Sequence, residues 1–213
     1  MNFTKTDNTA TIGNLRSQLY QKLTAPVDAM WEQLYIASSQ HYLIENNNEI
    51  QGYCCVNDEG CLLQMFLVEE YSSKMEKVIA ALIDSKLITS ASLSSIEPIS
   101  FNTCLALSKS IKANTFCFEH VNIPIETDSR LDVALVTTAD IPAVKAFLKG
   151  QVGMDDTFGY TENLVSRKEI FLVKESDQII ATSERRMSDS QPGIADLGII
   201  VNSDFQEKAS PRK

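Results

Sequence analysis

The chain has 213 residues, of which 44% are apolar and 22% charged, a composition typical of a globular protein with an ordinary core. Its net charge of −9 opposes non-specific binding to nucleic acid, which requires a basic surface. No apolar run approaches the roughly 18 residues of a membrane span, and the polar N-terminus lacks the apolar core of a secretory signal. We therefore expect a cytoplasmic protein that binds neither nucleic acid nor membrane.

Cysteine and histidine usage argues against a metal site. The five cysteines and two histidines contain no CxxC pair and no cluster with the ligand spacing of zinc. Cys54, Cys55 and Cys117 lie in apolar, strand-like stretches, where a thiol behaves as a small apolar side chain. We predict buried free thiols, with no metal and no disulfide.

The first half of the chain begins with helical periodicity and then turns to strand-like runs. Leucines four residues apart predict the first helix, and Pro26 stands near the start of the second. Polar tracts at 46–49 and 57–60 suit tight turns between strands of an antiparallel meander. The predicted elements are helices over 15–23 and 27–38, strands over 42–44, 50–56 and 61–68, a helix over 75–83, a strand over 87–96, a helix over 100–109 and a strand over 115–121.

The second half follows a predicted linker over 122–129 and opens with a strand over 131–136. Thr137 and Pro142 then announce a helix, for which Gly150 is the expected C-cap. A polar passage without a predicted element follows. The remaining predicted elements are strands over 170–173, 179–186 and 195–201.

The two halves resemble each other around one strand-turn-strand unit. The segment Tyr42–Gly52 aligns without a gap over Phe171–Ala181, with aromatic, aliphatic, turn and small residues in register. Either the chain contains a duplication or two ordinary hairpins coincide. In both cases we expect two domains, at 1–125 and 130–213.

The second half resembles the central part of an acyltransferase of the GNAT superfamily. In that family a hairpin leads into a fourth strand, then a short turn and a Q/R-x-x-G-x-G/A loop, as in residues 171–181 and 195–208. The resemblance covers residues 131–210 and, through the repeat, weakly 40–120. It implies an α+β fold of two GNAT-like halves, each a mostly antiparallel sheet flanked by helices.

The resemblance also implies acetyl-CoA as co-substrate. Strand residues Ile199, Ile200 and Val201 would pair with the pantetheine amides. The pyrophosphate loop would be formed by Gln206, Lys208, Ala209 and Ser210. A glycine-rich loop at a helix N-terminus normally supplies convergent N–H donors there.

The loop departs from the family pattern, because Ala209 stands for a glycine and Pro211 lacks an N–H donor. We therefore expect an incomplete C-terminal domain, truncated after the fourth strand. The corresponding junction of the first half, residues 68–74, has two carboxylates and no glycine. That half is interpreted as a degenerate domain.

Transfer of an acyl group to an amine needs a base, for which carboxylates near the fourth strand are the natural candidates. Asp196 lies on that strand and Glu184 on its neighbour. The alternative is structural: Asp196 caps the strand and Glu184 pairs with a neighbouring arginine.

The resemblance predicts an N-acetyltransferase that moves an acetyl group from acetyl-CoA directly to a primary amine of a small molecule or peptide. The alternative is a non-catalytic binding or scaffold protein on a GNAT-like fold. An exposed sheet edge in the second half also predicts a homodimer.

Overall fold

The computed structural model describes residues 1–119 and 131–206 and divides the chain into two compact units, Met1–Phe118 (unit 1) and Glu119–Lys213 (unit 2). Each unit has its own sheet flanked by helices. The mixed α+β architecture with mostly antiparallel sheets is therefore confirmed. The predicted linker over 122–129 lies outside the described residues.

Unit 1 is built on a five-stranded sheet in the order β1-β2-β3-β4-β5, antiparallel except for the short parallel pair β4-β5. Its strands are β1 (Asn2–Lys5), β2 (Gln40–Asn46), β3 (Glu49–Val56), β4 (Cys61–Leu67) and β5 (Ser90–Ala91). Its helices are α1 (Thr9–Tyr20), a π-helix (Trp31–Ile36), a 3-10 turn (Glu69–Lys74), α2 (Met75–Asp84) and α3 (Pro98–Leu107).

Both faces of this sheet are covered, because alternate strand residues pack on different helices. Cys54 and Met65 belong to a core with the apolar face of α2. Tyr53 and Phe66 belong to a second core with α1 and Ile36 of the π-helix. The sheet is thus the middle layer of three.

The structure corrects several predictions in unit 1. The predicted strand over 87–96 shrinks to β5, and β1 was not predicted. The predicted strand over 115–121 is wrong for its described residues 115–119, which form no regular element. Phe116 and Phe118 are exposed there, because a strand-like composition forms a strand only where a partner strand exists. Cys117 is exposed too, so its predicted burial is wrong, whereas Cys54 and Cys55 are buried free thiols.

Unit 2 has a four-stranded antiparallel sheet in the order β6-β7-β8-β9. Its strands are β6 (Val133–Leu135), β7 (Ile170–Glu175), β8 (Gln178–Met187) and β9 (Ala195–Val201), and its helices are α4 (Ile141–Val152) and α5 (Tyr160–Arg167). The helix α4 runs through Gly150 and ends at Gly153, whose φ of 70° fits a left-handed C-cap. The prediction of Gly150 as the cap is therefore wrong, and α5 was missed in the polar passage.

The hairpins β2-β3 and β7-β8 match in detail. Their turns place Asn47 and Asn48, and likewise Ser176 and Asp177, at positive φ, as a two-residue I′ turn requires. Each hairpin also shifts register at the same point, between Ile44 and Glu45 in one and between Val173 and Lys174 in the other. Turn, register and bulge thus coincide at the positions that the sequence alignment places in correspondence.

Candidate functional site

Glu184 is held in an ion pair inside unit 2. Its Oε2 accepts a hydrogen bond from Arg186 Nη1 at 2.6 Å and one from the Tyr160 hydroxyl at 3.2 Å. Both partners of the ion pair are buried. The carboxylate therefore stabilises a guanidinium on its own strand, and a catalytic role for it remains a prediction.

Asp196 and Gly198 face this ion pair from β9. Asp196 is opposite Arg186 in the strand register and is half-buried, while Gly198 is opposite Glu184. A Cβ atom added at Gly198 would lie 2.7 Å from Arg186 Nη1. The glycine thus leaves room for the arginine, which explains a residue that the sequence reading passed over.

Strand β9 forms one edge of the sheet, so one row of its backbone groups is turned away from β8. Asn202 N–H bonds to Ile180 O on the β8 side, and alternation along an antiparallel pair then turns Val201 and Ile199 outward. Ile200 is turned inward and pairs with Thr182. Of the three predicted cofactor residues, two therefore present backbone groups at the open edge, and Ile200 does not.

The loop after β9 folds back on the strand. Gln206 Nε2 donates to Val201 O at 3.0 Å, so this carbonyl already has a partner. The remaining predicted loop residues, Lys208, Ala209 and Ser210, lie outside the described part of the chain.

In unit 1 the corresponding strand, β4, pairs with β5 only at Cys61 and Leu62. Beyond Leu62 the two strands part, and the pairing with β3 turns the backbone of Met65 and Leu67 toward the opening. Glu97, at the start of α3, is buried beside the Met65 amide. Burial raises the pKa of this carboxyl group to about 7, while Ser100, which donates to Glu97 Oε2 at 3.1 Å, and the Met65 N–H act in the opposite direction.

Gln64 lies on the α1 face of β4, two residues from Phe66 and next to a β-bulge. Cys55 pairs with Gln64 and Val56 with Leu62, which leaves Leu63 as the extra residue. Gln64 is 0% exposed, and its Oε1 accepts from the Tyr53 hydroxyl at 2.7 Å. Its amide also lies close to the Glu97 carboxyl group, whose pKa it lowers, and to the Tyr20 hydroxyl, although Nε2 makes no hydrogen bond of good geometry in the described structure.

Arg16 on α1 lies beside Tyr53 and Cys55. Its Nε and Nη2 atoms are buried and have no hydrogen-bond partner among the described residues. Gln64, Tyr53 and Arg16 thus form a buried polar group within an otherwise apolar core. The sequence does not predict it, because a helix pattern and a strand pattern do not show which polar residues of the two elements meet.

Within the described residues 1–119 and 131–206, no group of three or more His, Cys, Asp or Glu side chains is arranged to hold a metal ion. None of the helices there is both long and apolar enough to cross a membrane.

The GNAT acetyltransferase domain model matches residues 8–121, which is more than half of the chain. The chain belongs to the GNAT acetyltransferase family. The match lies in unit 1, whereas the sequence resemblance was drawn mainly on residues 131–210. Membership in this family supports acyl transfer as the general chemistry of the chain.

A solved structure supports the same fold. An acetyltransferase of the GNAT family from Colwellia psychrerythraea is 25% identical, with a TM-score of 0.77 over 96% of this chain and 79% of that chain. An integron cassette protein from the mobile metagenome of Cole Harbour Salt Marsh is 12% identical over 58% of this chain and 91% of its own, but its TM-score of 0.29 contributes nothing to the assignment. No curated protein matches the chain.

The two units differ in the strand edge that each offers to a pantetheine arm. In unit 2 the outer edge of β9 offers the backbone groups of Ile199 and the N–H of Val201, which suit the amides of a pantetheine arm. In unit 1 the Glu97 carboxyl already lies at the corresponding edge of β4. The described residues therefore fit acetyl-CoA better in unit 2.

Proposed function

We propose that this GNAT protein is an N-acetyltransferase that moves an acetyl group from acetyl-CoA directly to a primary amine. The family match over residues 8–121 carries the proposal. The fold of the Colwellia acetyltransferase, shared over nearly the whole chain, supports it. The acceptor is proposed as a small molecule or a peptide.

We place the cofactor on unit 2. Acetyl-CoA supplies the activated acetyl thioester of the reaction. Ile199 would pair with the pantetheine amides through its backbone N–H and C=O, and Val201 through its N–H. Ile200 would contribute only packing, because its backbone groups pair with β8.

The acceptor nitrogen forms an amide bond with the acetyl carbon as the C–S bond of the thioester breaks and coenzyme A leaves as its thiolate. The acceptor must lose a proton before or during this attack, and we propose that Asp196 takes it. Asp196 is half-buried on β9, two residues from Gly198 and three from Ile199. Glu184 is the weaker candidate, because it is buried, whereas Asp196 is half-buried and more accessible to an acceptor. The role proposed for Glu184 is to position Arg186 beside Asp196.

The test is an acetyl-transfer assay in which a panel of primary amines is incubated with the chain and acetyl-CoA, and the products are identified by mass spectrometry. Removing a general base costs about 10²–10⁴-fold in rate. We therefore expect Asp196→Asn to lower kcat by about 100-fold or more on any amine accepted by the wild type, and a higher pH to restore part of the loss.

The control is Asp177→Asn, the same chemical change at an exposed turn residue with φ of 68°, a conformation that asparagine tolerates. This variant should keep the wild-type rate. An Asp196→Asn variant with unchanged kcat would contradict the role of Asp196. The absence of any acetylated amine would favour the alternative, a binding or scaffold protein.

A further inference from the structure

The buried polar group of unit 1 contains hydrogen-bond donors without acceptors. Arg16 Nε and Nη2 and Trp31 Nε1 are buried and have no partner in the described structure. Gln64 and Arg16 both lie against Tyr53, and Trp31 packs against the same core. Buried polar atoms are normally satisfied by protein, water or a ligand, so a group of this kind requires an explanation.

The two unpartnered atoms of Arg16 are the ones that form the side-on fork of a guanidinium. Unit 2 shows how such a fork is used: Arg167 donates from Nε to Glu169 Oε2 at 2.9 Å and from Nη2 to Glu169 Oε1 at 3.1 Å. Two parallel bonds of this kind match the two oxygens of a carboxylate. In Arg16 the same fork has no carboxylate among the described residues.

The nearby carboxylates of the protein make no hydrogen bond to the Arg16 fork. Glu32 accepts from the Tyr20 hydroxyl at 3.3 Å, and Glu97 accepts from Ser100 and interacts with Gln64. A water molecule could accept from two of the donors, but it would leave the buried guanidinium charge without a counter-ion. An anion satisfies both the hydrogen bonds and the charge.

We propose that unit 1 binds a small carboxylate-bearing molecule, with the carboxylate on the Nε and Nη2 atoms of Arg16. A single carboxylate matches the one positive charge of the site, whereas a phosphate dianion would exceed it. The proposal is independent of the acetyl transfer assigned to unit 2.

The local structure gives this site a rigid back wall. Arg16 as a whole is half-buried, so part of its side chain lies at the surface beside α1, whereas its Nε and Nη2 atoms are buried. The Tyr53 hydroxyl fixes the orientation of the Gln64 amide, since Gln64 Oε1 accepts its proton. Trp31 begins the π-helix, and short π-helical segments occur frequently at functional sites.

The first experiment titrates the full chain, labelled with 15N, with sodium acetate and follows the arginine Nε–H signals by NMR. The Arg16 signal is identified by its absence from the spectrum of Arg16→Lys. We expect this signal to shift saturably with acetate, and not with acetamide, the neutral isostere, or with sodium chloride at equal ionic strength. A shift that does not saturate, or an equal shift with acetamide, would overturn the proposal.

The second experiment compares affinities for acetate by calorimetry. Arg16→Lys keeps the charge but loses the fork, and we expect it to bind acetate at least about tenfold more weakly. Arg185→Lys makes the same change at an exposed position of β8 and should bind like the wild type. Equal affinity in Arg16→Lys would refute the site.

The third experiment titrates the chain with inorganic phosphate and compares its affinity with that of acetate. Tighter binding of phosphate than of acetate at the Arg16 signal would replace the carboxylate by a phosphate and so reject the proposed ligand class. If Arg16→Lys fails to fold, the wild-type titration with acetate and acetamide still tests the proposal. The Arg16 Nε–H signal is then identified as the arginine signal that shifts most in Gln64→Leu.

Discussion

Glu97 is a carboxyl group buried at the first turn of α3, and burial raises its pKa from 4.5 to about 7. The unfolded chain loses this proton near pH 4.5, whereas the folded protein keeps it until about pH 7. The contribution of Glu97 to stability is therefore fully present below pH 4.5 and is lost as the pH rises through 7. Above that pH the buried charge destabilises the fold.

Replacing Glu97 by glutamine should remove this pH dependence, because the amide keeps the hydrogen bond with Ser100 and does not ionise. A shift from 4.5 to about 7 corresponds to about 3 kcal/mol. We expect Glu97→Gln to raise the free energy of unfolding at pH 8 by up to that amount and to leave it nearly unchanged at pH 4.5. Urea unfolding at the two pH values measures the difference, and an equal effect at both would contradict the assignment.

At the level of single residues, the sequence predicts contacts within one strand but not contacts between a helix and the sheet. The sequence offers the pairing of Glu184 with an arginine as one alternative, because Arg185 and Arg186 follow it directly on the same strand. The group formed by Arg16, Tyr53 and Gln64 is not predictable from the sequence, since it depends on how α1 packs on the sheet. Alternation along β4 places Gln64 on the face of Phe66, but no local pattern shows that Arg16 of α1 lies beside it.

Among the elements, strands bounded by polar turns were predicted within a few residues. The hairpin turns at Asn47 and Ser176 are examples, because the residues that accept positive φ are themselves visible in the sequence. The short elements β1, β5 and α5 were missed or misjudged. Their formation depends on neighbours distant in sequence, such as the pairing of Phe3 with Ile44.

Two glycines of unit 1 differ in the space available for a side chain, one in a helix and one in the sheet. Gly13 lies inside α1 with nothing within 4 Å of an added Cβ, and alanine there should stabilise the protein by about 0.5–1 kcal/mol. An added Cβ at Gly52 on β3 would overlap the Phe66 carbonyl oxygen and lie 2.9 Å from Leu67 Cα. Gly52→Ala should therefore destabilise the protein by about 3 kcal/mol or more.

Thermal unfolding of the two alanine variants tests this contrast. The expected order of midpoints is Gly13→Ala above the wild type and Gly52→Ala well below it. A Gly52→Ala variant as stable as the wild type would contradict the close approach of β3 and β4 at Gly52.

The whole molecule consists of two compact units whose hairpins share turn and bulge geometry. The division into a degenerate and a truncated GNAT domain remains a prediction. That the two units descend from a duplication remains a prediction, to which the shared turn and bulge add support. What the sequence could not give was the difference between their sheets. Both faces of the unit 1 sheet carry helices, whereas Leu197 and Ile199 of unit 2 are 68% and 72% exposed.

An exposed apolar strand at a sheet edge invites pairing with a second chain. The predicted homodimer would use this surface of β9, and a monomer by light scattering would count against it. Pairing along β9 would also compete with the proposed pantetheine contacts, so acetyl-CoA should favour the monomer.

The most direct test of the account is calorimetric titration of the chain with acetyl-CoA. The wild type is expected to bind one acetyl-CoA per chain. Ile199→Pro should weaken binding, because proline removes an outward N–H without breaking a bond to β8. Leu197→Pro removes an equivalent N–H two residues earlier and is the control. No binding up to millimolar ligand, or equal binding by Ile199→Pro and the wild type, would contradict a cofactor site on β9.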